Sequence, residues 1–455
     1  LTRLRKESSA TNALLWSRDL AGATAGELGS GATTKAWVPS VTGSTLVTNG
    51  TFDTDLTGWI NTGSSSASVV SGAMRLDSTA GGGGRYQIIS LTIGKTYLLT
   101  ADVTFISGSG SVSVLVYTDS SSTTVLKYNL FSASGSANII FKATSASHRI
   151  YMSCNATGRV VDIDNVVLKE VTCVPERTAT GLDGIANTAT TLTATATDAI
   201  ILQPTSGIAS AARCASAYVR RKVGTGTISF TQDGGSTWTD ITSLINTSTY
   251  YRVQITATLA NPSVGFKIST SGDAIEVDCV QNEAGSVATS PIVTTTATVA
   301  RNADALTYQT SGNIDATVGS CYVRYSAYEE VGTFHRAIIG LSTVASTANA
   351  LLYNASSVAS TSLYSGDGTT SISKSGLLSA ANAPRKRAIS WGGSTRLMTG
   401  DGVSSTSGAF SGTLPSTEIG ICGYTNGTLT ISGRIGDVAI YNYKMTDAEL
   451  QAITT

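Results

Sequence analysis

Residues Cys214–Asp240 read CASAYVRRKVGTGTISFTQDGGSTWTD. Ala215, Ala217 and Val219 alternate with Ser216, Tyr218 and Arg220, the period of two that marks a strand with one wet face. Gly224-Thr225-Gly226 turns the chain, Ile228 and Phe230 restart the alternation, and Asp233-Gly234-Gly235 turns it again before Trp238. The pattern recurs upstream as Thr100-Ala101-Asp102-Val103, a Gly108-Ser109-Gly110 turn, then Val112, Val114 and Val116. Downstream it recurs as Ser320-Cys321-Tyr322-Val323-Arg324. These are equivalent strands of three β modules, and the fold class is all-β.

A chain of 455 residues is long enough for roughly two to four domains. With 41% hydrophobic residues it can fill real cores, yet only 13% are charged, well below the usual quarter. Ser, Thr, Asn and Gly must keep the surface wet, which suits an extracellular particle better than a cytosolic enzyme. A net charge of zero argues against a nucleic-acid footprint; Arg3, Arg5 and Lys6 form at most a local anchor. Six Cys without a C-x-x-C pair, and only two His, argue against zinc. Buried, free thiols are expected instead. No apolar run is long enough to span a bilayer, and no secretory leader is legible ahead of a chain that starts at Leu1.

The order of modules is read from the turns. In residues 1–43, Leu14, Leu15 and Trp16 form a short strand and Trp37-Val38 begins another, a piece too small to bury its own Trp pair. Residues 44–172 open with Asn49-Gly50-Thr51-Phe52-Asp53 and Gly58-Trp59 and close with Asp162-Ile163-Asp164-Asn165-Val166. Strands are expected near 68–76, 85–92, 96–106, 111–118, 124–131, 136–143 and 148–153. On these two motifs the unit resembles the jelly-roll carbohydrate-binding modules found beside glycan-degrading enzymes. Residues 173–300 end in a parallel closing stretch, Glu276-Val277-Asp278-Cys279-Val280. This unit is similar to modules of bacteriophage structural proteins that open with NLL-x-x-S-x-D…W. That opening stands not before Cys173 but at Asn12–Asp19 and Trp37. The first jelly roll is therefore expected to be inserted into a loop of the second, with 12–42 pairing with 173–300; the ends of a jelly roll can lie side by side. Residues 301–455 end in GRIGDVAIYNYKMTDAELQ from Gly433, which resembles the closing strand and helix of concanavalin/laminin-G-like sandwiches. Thr446 and Glu449 form its capping box, and Leu450 and Ile453 should pack it down.

Candidate site residues follow from these motifs. The resemblance of the first jelly roll implies a structural Ca2+ shared by an acid near the first strand and one near the last, here Asp53 and Asp164 with Asp162 beside them. Turn-forming Asp is the alternative. Tyr97, Tyr117, Tyr128 and Trp59 are available to stack on sugars, Trp59 reading as core. Tyr218, Arg220, Tyr322 and Arg324 sit at outward strand positions, where a ligand face or an intersubunit seam would lie. Thr231–Trp238 matches the Asp-box of sialidases, but one box without a propeller repeat reads as a structural hairpin with Trp238 in the core. His148 and His335 lack triad partners at motif spacing, and no catalytic residue is assigned.

The resemblances together imply a virion structural protein of a tailed bacteriophage: a fibre, spike or capsid decoration that attaches to host-surface glycans or cements the shell. Other virion proteins would be its partners, and a homotrimer its assembly. No nucleic acid and no membrane insertion are expected. The alternative is a secreted adhesin, or the non-catalytic carbohydrate-binding region of a polysaccharide-degrading enzyme. An enzyme within these residues is the third reading.

Overall fold

The computed structural model describes residues 4–7, 9–15, 17–20, 37–78, 82–154, 157–309, 312, 314–327, 336–340, 350–354, 363–366, 371–374, 377, 383–414, 418–422 and 433–455. They fall into two compact units, Thr11–Val299 and Leu1–Ala10 with Ala300–Thr455. Trp16 and His335 lie outside the described residues.

The unit Thr11–Val299 holds two jelly-roll sandwiches, one inserted in the other. In the inserted one, a sheet runs in the order Val125–Phe131, Val112–Tyr117, Ser147–Cys154, Gly83–Ser90, Ile60–Gly63. Its partner sheet runs Gly135–Lys142, Thr96–Ser107, Val160–Val171, Ala73–Asp77, Ser66–Val70. Met74, Leu99, Val114, Ile139, Ile150, Ile163 and Leu168 fill the space between. The single strand expected near 68–76 is a hairpin, because Ser71 and Gly72 both take positive φ, the two-residue turn that suits strand twist. The opening motif is a plug: Phe52 and Trp59 rings lie 5.4 Å apart, and Trp59 Nε1 donates to Asn49 O at 3.0 Å.

The second jelly roll pairs Cys173–Ala179, Ala189–Ala194, Ala274–Ala284, Ala211–Val223 and Tyr251–Leu259 in one sheet. Thr239–Asp240, Ile228–Thr231, Ser263–Ile268, Ala199–Pro204 and Val38–Pro39 make the other. Leu14, Leu20 and Trp37 are fully buried in its core beside Phe230, Phe266 and Val277, and Val38–Pro39 pairs with Ile201 and Leu202. One strand departs from the expected 1–43 segment: Leu4–Lys6 pairs with Gly433–Tyr441 in the other unit.

The two jelly rolls repeat one device. Each closing strand carries a bulge, at Asp164–Val167 opposite Asp102–Thr100 and at Asp278–Gln281 opposite Tyr218–Ser216. The residue after each Asp is left-handed, Asn165 at φ 50 and Cys279 at φ 47. In each case the Asp Oδ1 accepts that residue's own N–H, at 2.6 and 2.8 Å. The next N–H then turns outward to the opening segment: Val166 N donates to Gly50 O at 2.9 Å, and Val280 N to Ser17 O at 2.8 Å. Two residues on, Leu168 O accepts from Leu46 N and Asn282 O from Ala13 N. Residues 13–17 thus do in the second jelly roll what 46–50 do in the first. Gly50 is required by the close approach, since a Cβ there would lie 2.1 Å from Val166 O.

Where the chain leaves and re-enters the second jelly roll, its two passes are stitched together. Thr172 N donates to Ser40 O at 2.8 Å, Ser40 N to Ile200 O at 2.7 Å, and Val41–Thr42 pairs with Glu170 and Val171. Leu98, Ile140 and Val171 pack with Val38 and Val174 at the same place.

The other unit is a sandwich of two six-stranded sheets. Val318–Ala327, the third copy of the alternating strand, lies between Gly433–Tyr441 and Arg385–Gly392. Thr446 caps the helix Asp447–Thr454 with the reciprocal Glu449 bond, and Leu450 packs on Ala388 and Met445 with Ile453 alongside. All six cysteines of the chain are buried, and none is joined in a disulfide.

Trp37→Ala should destabilise the second jelly roll by about 3–5 kcal/mol and leave the inserted one unchanged. Denaturant unfolding should then resolve an earlier first transition that the unmutated chain lacks.

Candidate functional site

The outer face of the five-stranded sheet in the inserted jelly roll is built by simple alternation. In Val112–Tyr117, Val112, Val114 and Val116 are buried, so Ser113, Leu115 and Tyr117 face out. In Ser147–Cys154, His148, Ile150 and Met152 point in and Arg149 and Tyr151 out. In Gly83–Ser90, Gln87 and Ile89 point in and Tyr86 and Ile88 out. The register then aligns Tyr128, Leu115, Tyr151, Tyr86 and Ile60 as one row across all five strands. Four inter-strand steps make this row roughly 19 Å long. Tyr128, Ile60 and Ile88 are 41%, 46% and 47% exposed.

The rings are held in place by their neighbours. Tyr117 and Tyr151 centroids are 6.2 Å apart. The Arg149 guanidinium carbon lies 4.0 Å from the Tyr117 ring centre and 5.5 Å from that of Tyr86, while its Nη2 donates to Ser122 O at 2.7 Å. A cation between two ring faces is attracted by both. Gly84 gives Tyr151 room to lie down, because a Cβ there would meet Tyr151 Cε2 at 2.9 Å. Burial, first of all, pushes the Tyr151 phenol above its ordinary pKa, so it stays a neutral donor and acceptor. Beneath the face, His148 Nε2 accepts from Thr144 N and Ser145 N and its Nδ1 meets Tyr117 O at 2.8 Å, fixing the loop that leads into the Arg149 strand.

The five strands of this sheet contain no Asp or Glu. The strand acids of the jelly roll stand on the other sheet: Arg75 binds Asp162 with two bonds at 2.7 and 2.8 Å, and Asp102 accepts from Ser136 and Asn165. Asp119, in the hairpin after Tyr117, accepts from Ser121 and Ser122 of its own turn. Flat tyrosine faces, a guanidinium and strands without a carboxylate suit a neutral, hydroxyl-rich ligand that offers C–H surface and donors at once.

The residues singled out in the sequence scatter. Tyr117 and Tyr128 stand on this face; Tyr86, Tyr151 and Arg149 complete it and were missed. Tyr97 is not available for stacking: it is buried against Phe141, its hydroxyl accepting from Thr92 N. Trp59 is core. Tyr218 and Arg220 face out of the second jelly roll but are engaged locally, Tyr218 under Arg252 at 5.3 Å and Arg220 on Glu276 and over Tyr250 at 4.6 Å. Tyr322 is not on an open face, since it packs with Met445 and Leu450 of the helical C-terminus. Arg324 pairs with Asp437 at 2.7 Å. The Asp-box is a tied hairpin, with Thr231 Oγ1 donating to Asp233 Oδ1 and Thr237 N to the same oxygen. Trp238 is half-exposed there, against the expectation of a core residue, because its ring lies across Gly235 and under Lys267.

For calcium, the donors fit poorly. Asp53 is exposed and accepts from Thr51 Oγ1 at 2.7 Å. Among the described residues no group of three His, Cys, Asp or Glu is placed to hold a metal. The second jelly roll shows what the equivalent position takes instead. Asp278, the counterpart of Asp164, is fully buried and bound by Arg18, Nε to Oδ1 at 2.8 Å and Nη2 to Oδ2 at 3.0 Å. Arg18 Nη1 also meets Asp183 at 2.6 Å. Among the described residues no Lys or Arg pairs with Asp164.

The chain matches no family model and no curated protein. Among solved structures it is similar to the N-terminal CBM22-1-CBM22-2 tandem domain of Paenibacillus barcinonensis Xyn10C, at 10% identity and a TM-score of 0.25, over 55% of this chain and 99% of that one.

Arg18, first, and then the Ile185 N–H hold the Asp183 carboxyl below its ordinary 3.8. The stability this gives is full above that value and is lost as pH falls below it. Arg18→Met should lower stability at neutral pH by about 3–5 kcal/mol, since it strands buried Asp278, and should flatten the acid limb of a stability–pH profile measured by denaturant unfolding.

Proposed function

We propose that this chain is a structural protein of a bacteriophage virion, a fibre, spike or capsid decoration, that holds host-surface glycans on the tyrosine face of its inserted jelly roll. The observation that carries the binding part is the acid-free row Tyr128, Leu115, Tyr151, Tyr86 and Ile60 with Arg149 between its rings. The phage part rests on the opening segment Asn12–Asp19, which resembles that of phage modules. In this reading several copies, a homotrimer with other virion proteins around it, add weak shallow faces into useful avidity. The chain binds and does not turn over its glycan. The same face serves a secreted adhesin or the accessory region of a polysaccharide-degrading enzyme equally well, and imaging of purified virions with an antibody to this chain separates the two.

A glycan array identifies the ligand, and calorimetry against it tests the face. Tyr86→Ala and Tyr151→Ala should each weaken binding about tenfold, on the order of 1 kcal/mol per lost ring, with the fold retained by circular dichroism. Tyr218→Ala should leave binding unchanged. Undiminished affinity in the Tyr86→Ala/Tyr151→Ala double variant would place the glycan elsewhere.

A further inference from the structure

Just beyond the closing strand of the second jelly roll lies a buried cluster that the glycan face does not use. Gln281 and Glu283, two apart on the strand Ala274–Ala284, are both fully buried. Thr289, in the segment that follows, reaches back to them. Its Oγ1 donates to Glu283 Oε1 at 2.5 Å, and its backbone N donates to Glu283 Oε2 at 3.0 Å. Gln281 Nε2 donates to Glu283 Oε2 at 2.5 Å and lies 3.2 Å from Thr289 O. Gln281 Oε1 accepts from Ile292 N at 3.0 Å.

Each group has a chemical part to play. All three contacts to Glu283 come from donors, so it sits there as an acceptor carboxylate, the form that can take a proton. One of its oxygens touches a hydroxyl and the other touches an amide nitrogen. The carbonyl of that same amide is polarised by a backbone N–H. Glu283 thus links a hydroxyl nucleophile to an amide whose carbonyl oxygen already has a backbone N–H donor, the three parts that acyl transfer needs. Arg213 is the nearby cation: burial lowers its pKa and the charge of Glu283 opposes that.

We propose that Thr289 and Gln281 join autocatalytically in an intramolecular ester. Thr289 Oγ1 adds to Gln281 Cδ as Glu283 Oε1 takes its proton, and the Oγ1–Cδ bond forms. The negative charge that develops on Gln281 Oε1 faces the Ile292 N–H. The intermediate collapses with cleavage of the Cδ–Nε2 bond, Glu283 returns the proton to Nε2, and ammonia leaves. The balance closes without water, oxidant or metal, and Glu283 ends as the carboxylate it began as. Gln281 and Glu283 are fully buried and Thr289 half-buried above them, which limits the approach of the water that would hydrolyse the product.

The bond would lock the chain's way out of the domain. The same segment holds the opening strand: Asn12 Nδ2 donates to Ile292 O at 3.0 Å, Ser17 N to Thr294 O at 3.3 Å, and Thr294 N to Ser17 Oγ at 2.9 Å. A covalent tie at Thr289 therefore fixes the point where force or a protease would first peel the domain open.

Intact-mass spectrometry of the full purified chain decides the matter. The expected mass is one ammonia below that of the sequence, with no backbone fragments between residues 281 and 289 in tandem spectra. Hydroxylamine should open the link. Glu283→Gln and Thr289→Val should show the full mass for their sequences, and Thr289→Ser should keep the loss. A wild-type mass equal to that of the sequence overturns the proposal, as does an ammonia loss that persists in Thr289→Val.

Discussion

The left-handed residue in each closing strand is the constraint on which the jelly rolls depend. A strand residue at positive φ is costly, on the order of 1–2 kcal/mol for a residue with a Cβ. Asn165 and Cys279 adopt it because the preceding Asp accepts their N–H and the following valine N–H gains a partner in the opening segment. Remove that segment and Val166 or Val280 is left with a buried, unpaired N–H, which costs more than an ordinary hydrogen bond gains. Neither domain can therefore be complete without the stretch before its first long strand. For the second jelly roll that stretch lies on the far side of the insertion.

Such a separation is tolerable only if the chain leaves and returns at one place. Ser40 and Thr172 meet that condition through direct hydrogen bonds, with their neighbours Val41–Thr42 and Glu170–Val171 paired as a short ladder. The cluster of Leu98, Ile140, Val171, Val38 and Val174 buries apolar surface from both sandwiches around the ladder. Loop-closure entropy for the inserted residues is thereby set by a two-residue stitch rather than by a long flexible loop.

Much of this was legible because it is local. Alternation marked the long strands, turn residues marked their ends, and the matching Asp-x-Val endings at 164–166 and 278–280 flagged the repeat. The capping box at Thr446 and Glu449 is three residues long and could be read outright. The tyrosine face could not. Alternation alone places Tyr86 and Tyr151 outward on their strands, but nothing local says that these strands are neighbours, because their pairing spans some sixty residues of chain. Tyr97 misled for the converse reason, since it stands where a strand begins and is covered by Phe141, its partner on a neighbouring strand some forty residues away in the chain. Tyr322 looked outward within its strand, and only the distant helix covers it.

The distribution of charge is the remaining step. In a chain with so few charges, several described ones on the jelly rolls are spent in pairs on the closing-strand sheets: Arg75 with Asp162, Lys95 with Glu170, Arg220 with Glu276, Arg18 with Asp278. Those sheets are stiffened and wetted by ions that already have partners, which leaves little for a ligand to gain there. The five-stranded sheet of the inserted jelly roll is the opposite case. It carries tyrosines and aliphatic residues with Arg149 stacked among them, a surface that water wets poorly and whose strands hold no acid. A half-dry aromatic row beside a saturated polar one is what a protein needs in order to stay soluble through its hydroxyls and still offer one face worth covering. That contrast, more than any single tyrosine, is why the binding reading is placed on this sheet.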